Sequence, residues 1–266
     1  MSSAGDRFNR LVEIMRTLRS PDGCPWDREQ TLRSLRPFLL EETYEALEAI
    51  DAGRMDDLRE ELGDLLFEIV FLAQVCEEDG AFSVADAIDT VAAKLVRRHP
   101  HVFGEAGKLS SADEVLVRWQ ELKRDERAGA GAASTSVLQG VPKTLPGLLR
   151  AYEYGSRAAT TGFDWEQAAD VVAKIREEVD EIGEALGPSP DPVRVEEEIG
   201  DLLFAIANLS RKLGVEPEGA LRRANDKFAS RFMELERRMS EKGVDMKQAG
   251  LEALEDEWRA VKSHEH

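Results

Sequence analysis

Two stretches of the chain repeat one arrangement of acidic and apolar residues. Residues 60–73 read EELGDLLFEIVFLA, and residues 197–210, which begin 137 positions later, read EEIGDLLFAIANLS. EETYE stands ahead of the first stretch at 41–45, and EEVDE stands ahead of the second at 177–181. Each half of the chain therefore carries EExxE followed by ExxD, and both motifs place carboxylates one turn apart on one face of a helix.

The turn within each half brings the two acidic motifs together. In a helical hairpin, two residues lie level when they are equally far from the centre of the turn. In the first half this rule pairs residues about Gly53, and the carboxylates concerned are Glu42, Glu45, Glu61 and Asp64. In the second half the midpoint falls inside GPSPDP at 187–192, and the carboxylates are Glu178, Glu181, Glu198 and Asp201. The sequence therefore predicts a group of carboxylates in each hairpin.

Such a group requires a positive partner. Like charges at close range disfavour ionisation, and burial beside leucine, phenylalanine and isoleucine adds to that effect. Lysine and arginine are sparse within these segments, so a hard divalent cation is the natural partner. Mg²⁺ bound by a few carboxylates usually keeps water and accepts phosphate oxygens. A solvated acidic face would explain a single EExxE motif, but duplication with matched midpoints favours a metal site.

The elements that must position these residues are helices. Apolar residues recur at three- and four-residue steps, which predicts an all-α fold. The predicted helices cover residues 38–50, 58–76, 84–96, 115–122, 171–186, 195–213, 220–239 and 251–261. The stretch AGAGAASTS at 128–136 is small and polar and is typical of a flexible linker. Residues 1–127 and 137–266 are then predicted to form two helical domains.

Composition and charge exclude several classes of function. The chain has 266 residues, of which 42% are hydrophobic and 33% charged, as is ordinary for a globular protein. A formal net charge of −18 argues against nucleic-acid binding, which needs a basic surface. No run approaches the roughly 20 apolar residues that span a bilayer, so no membrane role is expected. Cys24 and Cys76 match neither a disulfide framework nor a metal-ligand pattern and suit a cytoplasmic protein.

The duplicated acidic pattern resembles the MazG family of nucleoside triphosphate pyrophosphohydrolases. CPWDREQT at 24–31, KLVRRHPHVFG at 94–104 and ANDKFASRF at 224–232 resemble the same family, so the resemblance covers nearly the whole chain except the linker. It implies two tandem MazG-like domains in a homodimer. It also implies cleavage of NTPs and dNTPs to nucleoside monophosphate and pyrophosphate with Mg²⁺, for which Mn²⁺ is a substitute. The implied cellular role is nucleotide-pool control or house-cleaning.

The resemblance further assigns roles within the second half. The metal ligands fall on the four carboxylates of that hairpin, and Glu178 and Glu198 are the expected catalytic residues. Glu178 is the preferred general base, although the identity of that base stays open. The expected nucleotide and phosphate contacts are Lys174, Glu177, Arg194, Glu197, Lys227, Arg231, Trp258 and Lys262. For Trp258, base stacking and core packing are equally good interpretations.

The two halves differ in the basic residues of their hairpins. One turn before two of the ligands, the second half carries Lys174 and Arg194, where the first half carries Phe38 and Asp57. Two cations able to reach a polyphosphate are thus replaced by an apolar residue and an anion. The second half is therefore predicted to perform most of the catalysis. For the first half, metal binding, support of the dimer and a narrower activity stay open. A second candidate site in the first half consists of Glu42, Glu45, Glu61, Asp64, Lys94, Arg98, Trp119 and Lys123.

Other residues with chemical potential are expected to be structural. Phe163 and Trp165 in the segment GFDW are predicted to lie in the core rather than beneath a base. His99 and His101 flank Pro100 at a predicted helix end, where an imidazole commonly binds a free carbonyl, so metal ligation is the lesser interpretation.

Two other functions stay open on the sequence alone. A dUTP or phosphoribosyl-ATP pyrophosphatase would share the metal chemistry but would cleave one nucleotide rather than all. An acidic dimerisation or cation-binding module would bind Mg²⁺ without nucleotide turnover, and the basic residues Lys174 and Arg194 count against it.

Overall fold

Helices are the only regular elements among the residues that the computed structural model describes, which are 3–104, 111, 114–115, 118 and 136–263. The prediction of an all-α fold is therefore confirmed. The chain divides into two compact units, Met1–Ala130 and Gly131–His266. Most of the predicted linker and of the predicted helix 115–122 lies outside the described residues. Within the described part of the chain, no helix is long and apolar enough to cross a membrane.

The first unit is built around an antiparallel pair of helices. Over residues 3–104 its helices are α1 (Ala4–Leu18), α2 (Pro25–Glu29), α3 (Arg36–Ala52), α4 (Met55–Glu78), α5 (Val84–Arg98) and α6 (Pro100–Phe103). The hairpin of α3 and α4 turns at Gly53, whose φ of 68° is the left-handed conformation that glycine adopts without strain. The turn thus lies at the predicted midpoint, so residues equally far from Gly53 face each other across the pair.

The core of the first unit lies away from the turn of the hairpin. Met15 of α1 and Leu35 are fully buried with Val70 and Phe71 of α4. Arg19, which follows α1, also pairs with Glu78 at the far end of α4, with 2.6 Å between Nη2 and Oε2. The second half of α4 is therefore fixed in the core by α1, a helix that is absent from the predicted set. The first half of α4 is left to carry the acidic residues.

The second unit repeats the hairpin and adds a different support. Its helices are α7 (Gly147–Ala159), α8 (Ala168–Ala185), α9 (Pro192–Lys212), α10 (Pro217–Glu241) and α11 (Gly250–Ser263). Asp191 begins α9 by accepting a hydrogen bond from the Val193 amide at 3.0 Å, and Pro192 suits the first turn of a helix. α7 packs on α9, α10 packs on α7 and contacts α9, and α11 packs on α10.

Gly155 allows α7 to approach α9 closely. A Cβ atom at this position would lie 2.2 Å from Oδ1 and 3.1 Å from Cγ of Asn208. Asn208 is only 2% exposed and donates a hydrogen bond from Nδ2 to the Phe204 carbonyl at 3.2 Å, so its side chain has little room to move. The α7–α9 contact therefore depends on the missing side chain.

We expect the substitution Gly155→Ala to destabilise the second unit by about 1–3 kcal/mol, the usual effect of overpacking a buried contact. Gly147→Ala on the same helix is the matched control, because a Cβ there meets nothing within 4 Å. Denaturant unfolding followed by circular dichroism measures both. Equal stability of the two variants would contradict the close approach of α7 and α9.

Candidate active site

Three of the predicted carboxylates of the second half meet at one point. Glu178 of α8 and Glu198 and Asp201 of α9 each offer an oxygen, and these oxygens all lie within 4.8 Å of one another. Glu178 is buried, with 4% of its surface exposed, whereas Glu198 is half-buried and Asp201 is exposed. The group therefore opens to solvent on the α9 side.

Glu181, the fourth predicted carboxylate, borders this group. Burial raises the pKa of Glu181, and the negative charge of Glu198 raises it further. A hydrogen bond with Glu178 acts in the same direction, while the positive charge of Lys174 opposes it. Glu181 therefore interacts electrostatically with the other carboxylates, but it is not one of the three whose oxygens converge.

Lys174 and Arg194 lie against the same carboxylates. Lys174 Nζ is 2.7 Å from Oε1 of Glu178 and 2.8 Å from Oε1 of Glu177, and these bonds raise the pKa of Lys174, so it stays an ammonium. Arg194 Nε is 3.5 Å from Oε1 of Glu198, and the Arg194 side chain is 48% exposed. Each cation therefore adjoins one member of the acidic group and keeps some freedom to bind another anion.

The first half forms an equivalent acidic group without those cations. One oxygen each from Glu42, Glu61 and Asp64 lies within 4.8 Å of the others. Burial raises the pKa of Glu42, and nearby negative charges, first that of Asp64, raise it further. Burial also raises the pKa of Glu61, with the charge of Glu45 next in importance. All the predicted carboxylates of this hairpin therefore interact with one another.

The positions that match the two cations have structural roles in the first half. Phe38 packs against the core, and its ring meets that of Trp26 edge to face with centroids 5.7 Å apart. Asp57 accepts a hydrogen bond from Nε of Arg54 at 2.5 Å, which fixes the start of α4. Neither position brings a positive charge to the acidic group.

Sequence reasoning missed one carboxylate of the first hairpin. Glu68 lies one turn after Asp64 on α4, is only 5% exposed, and its Oε2 has no hydrogen-bond partner among the described residues. Burial raises the pKa of Glu68, and the charges of Glu42 and Asp64 raise it further. A comparison of the repeats would have found it, since the second copy has Ala205 at this place.

The expected phosphate and base contacts lie on other helices. Lys227 and Arg231 are one turn apart on α10, a helix that lies beside α9. Trp258 packs with the core that α10 and α11 share, and its ring centroid is 5.4 Å from that of Phe228. Lys262 is exposed on α11. The packing interpretation of Trp258 is therefore confirmed, while a contact with a base stays a prediction.

Corresponding residues of the first half are only partly described. Lys94 and Arg98 are half-buried one turn apart on α5, whereas Trp119 and Lys123 lie outside the described residues. His99 closes α5 as predicted, with Nδ1 2.7 Å from the Leu95 carbonyl oxygen.

The prediction of a core position for Phe163 is wrong. Its side chain is 79% exposed because GFDW forms the loop that precedes α8. The neighbouring Asp164 anchors that loop instead, through ion pairs with Arg211 and with Lys212, whose Nζ lies 2.8 Å from Oδ2.

Comparison with known proteins agrees with the duplicated geometry. The family model described as "MazG nucleotide pyrophosphohydrolase domain" matches residues 30–103 and 166–234, which contain both hairpins. The chain belongs to the MazG family. Each match spans an acidic hairpin and continues into the helix that follows it, through all of α5 in the first unit and most of α10 in the second.

Two relatives match this chain over nearly the whole of both sequences. The chain is 47% identical over 262 residues to the "Nucleoside triphosphate pyrophosphohydrolase" of Escherichia coli K12, with 98% of both chains covered. It is 44% identical over 262 residues, again 98% of both chains, to the "Nucleoside triphosphate pyrophosphohydrolase/pyrophosphatase MazG" of Thermotoga maritima. A solved structure, "Crystal structure of mazG-related protein from Thermotoga maritima", is 32% identical over 44% of this chain and 98% of its own, with a TM-score of 0.38.

The raised pKa of Glu42 predicts that its carboxylate destabilises the folded protein at neutral pH when no cation is bound. A carboxyl group whose pKa is higher in the folded state favours folding at low pH, and this contribution is lost as the pH rises through the folded-state pKa. We therefore expect Glu42→Gln to raise the Tm in chelator at neutral pH and to have less effect near the ordinary value of 4.5. Thermal unfolding at both pH values measures this.

Glu13→Gln on the exposed face of α1 is the control for the loss of one negative charge. A Glu42→Gln protein that is no more stable than this control at neutral pH would show that carboxylate repulsion does not strain the hairpin.

Proposed function

We propose that the second unit catalyses Mg²⁺-dependent hydrolysis of NTPs and dNTPs to nucleoside monophosphate and pyrophosphate. The observation that carries this proposal is the convergence of three carboxylates with two cations, Lys174 and Arg194, at their edge. A group of side chains that combines ligands for a divalent cation with groups that bind phosphate suits a metal-bound polyphosphate. The names of the full-length relatives from E. coli and T. maritima agree with this activity.

The donor set of the second hairpin fits a hard divalent cation. Glu178, Glu198 and Asp201 would hold it, because carboxylate oxygens are the ligands that Mg²⁺ and Mn²⁺ prefer and these three already converge. Lys174 and Arg194 leave part of the negative charge uncompensated. When bound, the cation neutralises charge on the α-phosphate and lowers the pKa of a coordinated water.

The hydrolysis itself needs one base and a stabilised leaving group. We assign Glu178 as the base: its buried carboxylate takes a proton from the attacking water while the oxygen bonds to the α-phosphorus. The bond from that phosphorus to the bridging oxygen breaks in line, and pyrophosphate leaves with the bonding electrons. Lys174 and Arg194 bind oxygens of the chain of phosphates, and Lys227 and Arg231 neutralise charge on the leaving group.

The remaining assignments concern the nucleoside and the assembly. Trp258 and Lys262 are our candidates for contacts with the base and sugar, and Glu177 and Glu197 border the phosphate site. A homodimer is supported by apolar residues exposed on α9, since Ile199, Leu203 and Phe204 are 44%, 47% and 42% exposed. We place the enzyme in the cytoplasm and in nucleotide-pool control or house-cleaning, as the family resemblance implies.

A pair of matched substitutions tests which half is catalytic. We expect Glu198→Ala to lower pyrophosphate release by at least about 100-fold, the scale on which one preorganised electrostatic contact acts. Glu61→Ala, the equivalent change in the first half, should leave most of the activity. Glu196→Ala, an exposed residue two positions before Glu198, should change nothing. The assay is pyrophosphate release from a panel of NTPs and dNTPs with Mg²⁺.

Each alternative function gives a different result in the same assay. Activity that is lost in Glu61→Ala and kept in Glu198→Ala would assign catalysis to the first half. Cleavage of dUTP or of phosphoribosyl-ATP alone would indicate the narrower pyrophosphatase class. Binding of Mg²⁺ without release of pyrophosphate from any nucleotide would leave only the cation-binding module.

The two cations should act on substrate affinity. A hydrogen bond to a charged group contributes about 1.5–3 kcal/mol, and about 1.4 kcal/mol corresponds to a tenfold change in rate. We therefore expect Lys174→Gln or Arg194→Gln to lower kcat/KM by about tenfold or more, with a raised KM. Arg176→Gln, an exposed residue on the same helix as Lys174, is the control. Steady-state kinetics on ATP and dATP measure the effect. An unchanged KM in both variants would remove these residues from the phosphate site.

A further inference from the structure

The two hairpins differ in charge at one pair of facing positions, which we call a layer. This layer carries a negative residue in the first half and a positive residue in the second. Phe38 on α3 and Glu68 on α4 are equally far from Gly53, so they lie level with each other, one turn deeper than Glu42 and Asp64. In the second hairpin the level pair is Lys174 and Ala205. The layer beside the metal ligands thus holds a carboxylate in the first half and an ammonium in the second.

The carboxylate of Glu68 lacks the contacts that would account for its burial. Glu68 is only 5% exposed, and its Oε2 accepts no hydrogen bond from the described residues. The level residue, Phe38, is apolar and packs with the core. A carboxylate in such a place is unfavourable unless a positive partner reaches it.

The charged neighbours of Glu68 indicate where that partner would lie. The groups that act on its carboxyl are Glu42 and Asp64, both negative and both in the acidic group of this hairpin. Along α4, Glu61 stands on one side of Asp64 and Glu68 on the other. Glu68 is not one of the three residues whose oxygens converge within 4.8 Å, which are Glu42, Glu61 and Asp64. A cation bound at Glu42 and Asp64 would nevertheless give the lone oxygen of Glu68 a positive partner once that side chain turned towards it, and would relieve the repulsion.

We propose that Glu68 is a divalent-cation ligand of the first hairpin, shared with Glu42 and Asp64. This inference rests on the proposed function only in taking such carboxylate groups to hold divalent cations. An added carboxylate strengthens cation binding, whereas the ammonium of Lys174 in the matching layer weakens it and favours phosphate. The first hairpin is then a site that holds its cation without nucleotide, and the second is a site that completes its charge balance with the substrate.

The test measures how many Mn²⁺ ions the full-length protein binds and how tightly it binds them. The background is Glu198→Gln with Asp201→Asn, which disables the second hairpin, and Mn²⁺ is titrated without nucleotide by calorimetry and electron paramagnetic resonance. We expect Glu68→Gln in this background to weaken Mn²⁺ binding at least tenfold or to remove it. Glu68→Asp, which keeps the carboxylate, should retain part of the affinity. Glu77→Gln, a half-buried glutamate on the same helix that pairs with Arg16, should bind as the background does.

A stability measurement separates a ligand from a merely structural residue. In chelator, Glu68→Gln should raise the Tm, because it removes a repelled and unpartnered charge, and the added Mn²⁺ should then raise the Tm less than in the background. A residue needed only for packing would lower the Tm in chelator and leave the shift caused by Mn²⁺ unchanged.

The outcomes distinguish this inference from the proposed function. If the background binds Mn²⁺ and Glu68→Gln does not change that affinity, the role of Glu68 is overturned but the proposed function is not. Loss of all Mn²⁺ binding from the background, with binding kept in the unmodified protein, also overturns it while leaving the second hairpin as a cation site. Failure of the unmodified protein to bind Mn²⁺, with or without ATP, contradicts the proposed function as well.

Discussion

Repulsion between carboxylates across a helical hairpin is the constraint on which the rest of each unit depends. Three acidic oxygens are held within 4.8 Å of one another in both halves. Left without positive partners, they would push the two helices apart at the end where the turn joins them. The helices therefore need strong packing elsewhere, and the acidic group needs a counter-charge.

Packing is provided at the far end of the hairpin in both units, by different means. In the first unit α1 covers the second half of α4 and inserts Met15 into the core. In the second unit α7 contacts α9 at Gly155, where the buried Asn208 takes the place that Phe71 has in the first copy. Each long helix is thus fixed at one end by a neighbour and carries acidic residues of the converging group at the other. Rigid support of this kind is what a metal site needs for its geometry.

The two halves differ in the positive charge that lies beside the carboxylates. Lys174 and Arg194 provide part of it in the second hairpin through ion pairs with Glu178 and Glu198. Such ion pairs are partly exposed, so they are weak enough to exchange a carboxylate for a phosphate. The first hairpin has no counterpart of these cations at the aligned positions and adds the buried Glu68 instead. The two copies therefore share the acidic group and differ in the charges around it, which are positive at Lys174 and Arg194 and negative at Glu68.

The sequence by itself determined the all-α class, the duplication and the residues that meet across each turn. These follow from helical periodicity and from the equal distances of the acidic motifs from Gly53 and from the second turn, which are local properties of the chain. The sequence did not reveal that α1 and α7 fix the hairpins, that Phe163 is exposed, or that Glu68 is buried without a partner. Burial and contact depend on residues far apart in the chain, so the tertiary structure alone decided them.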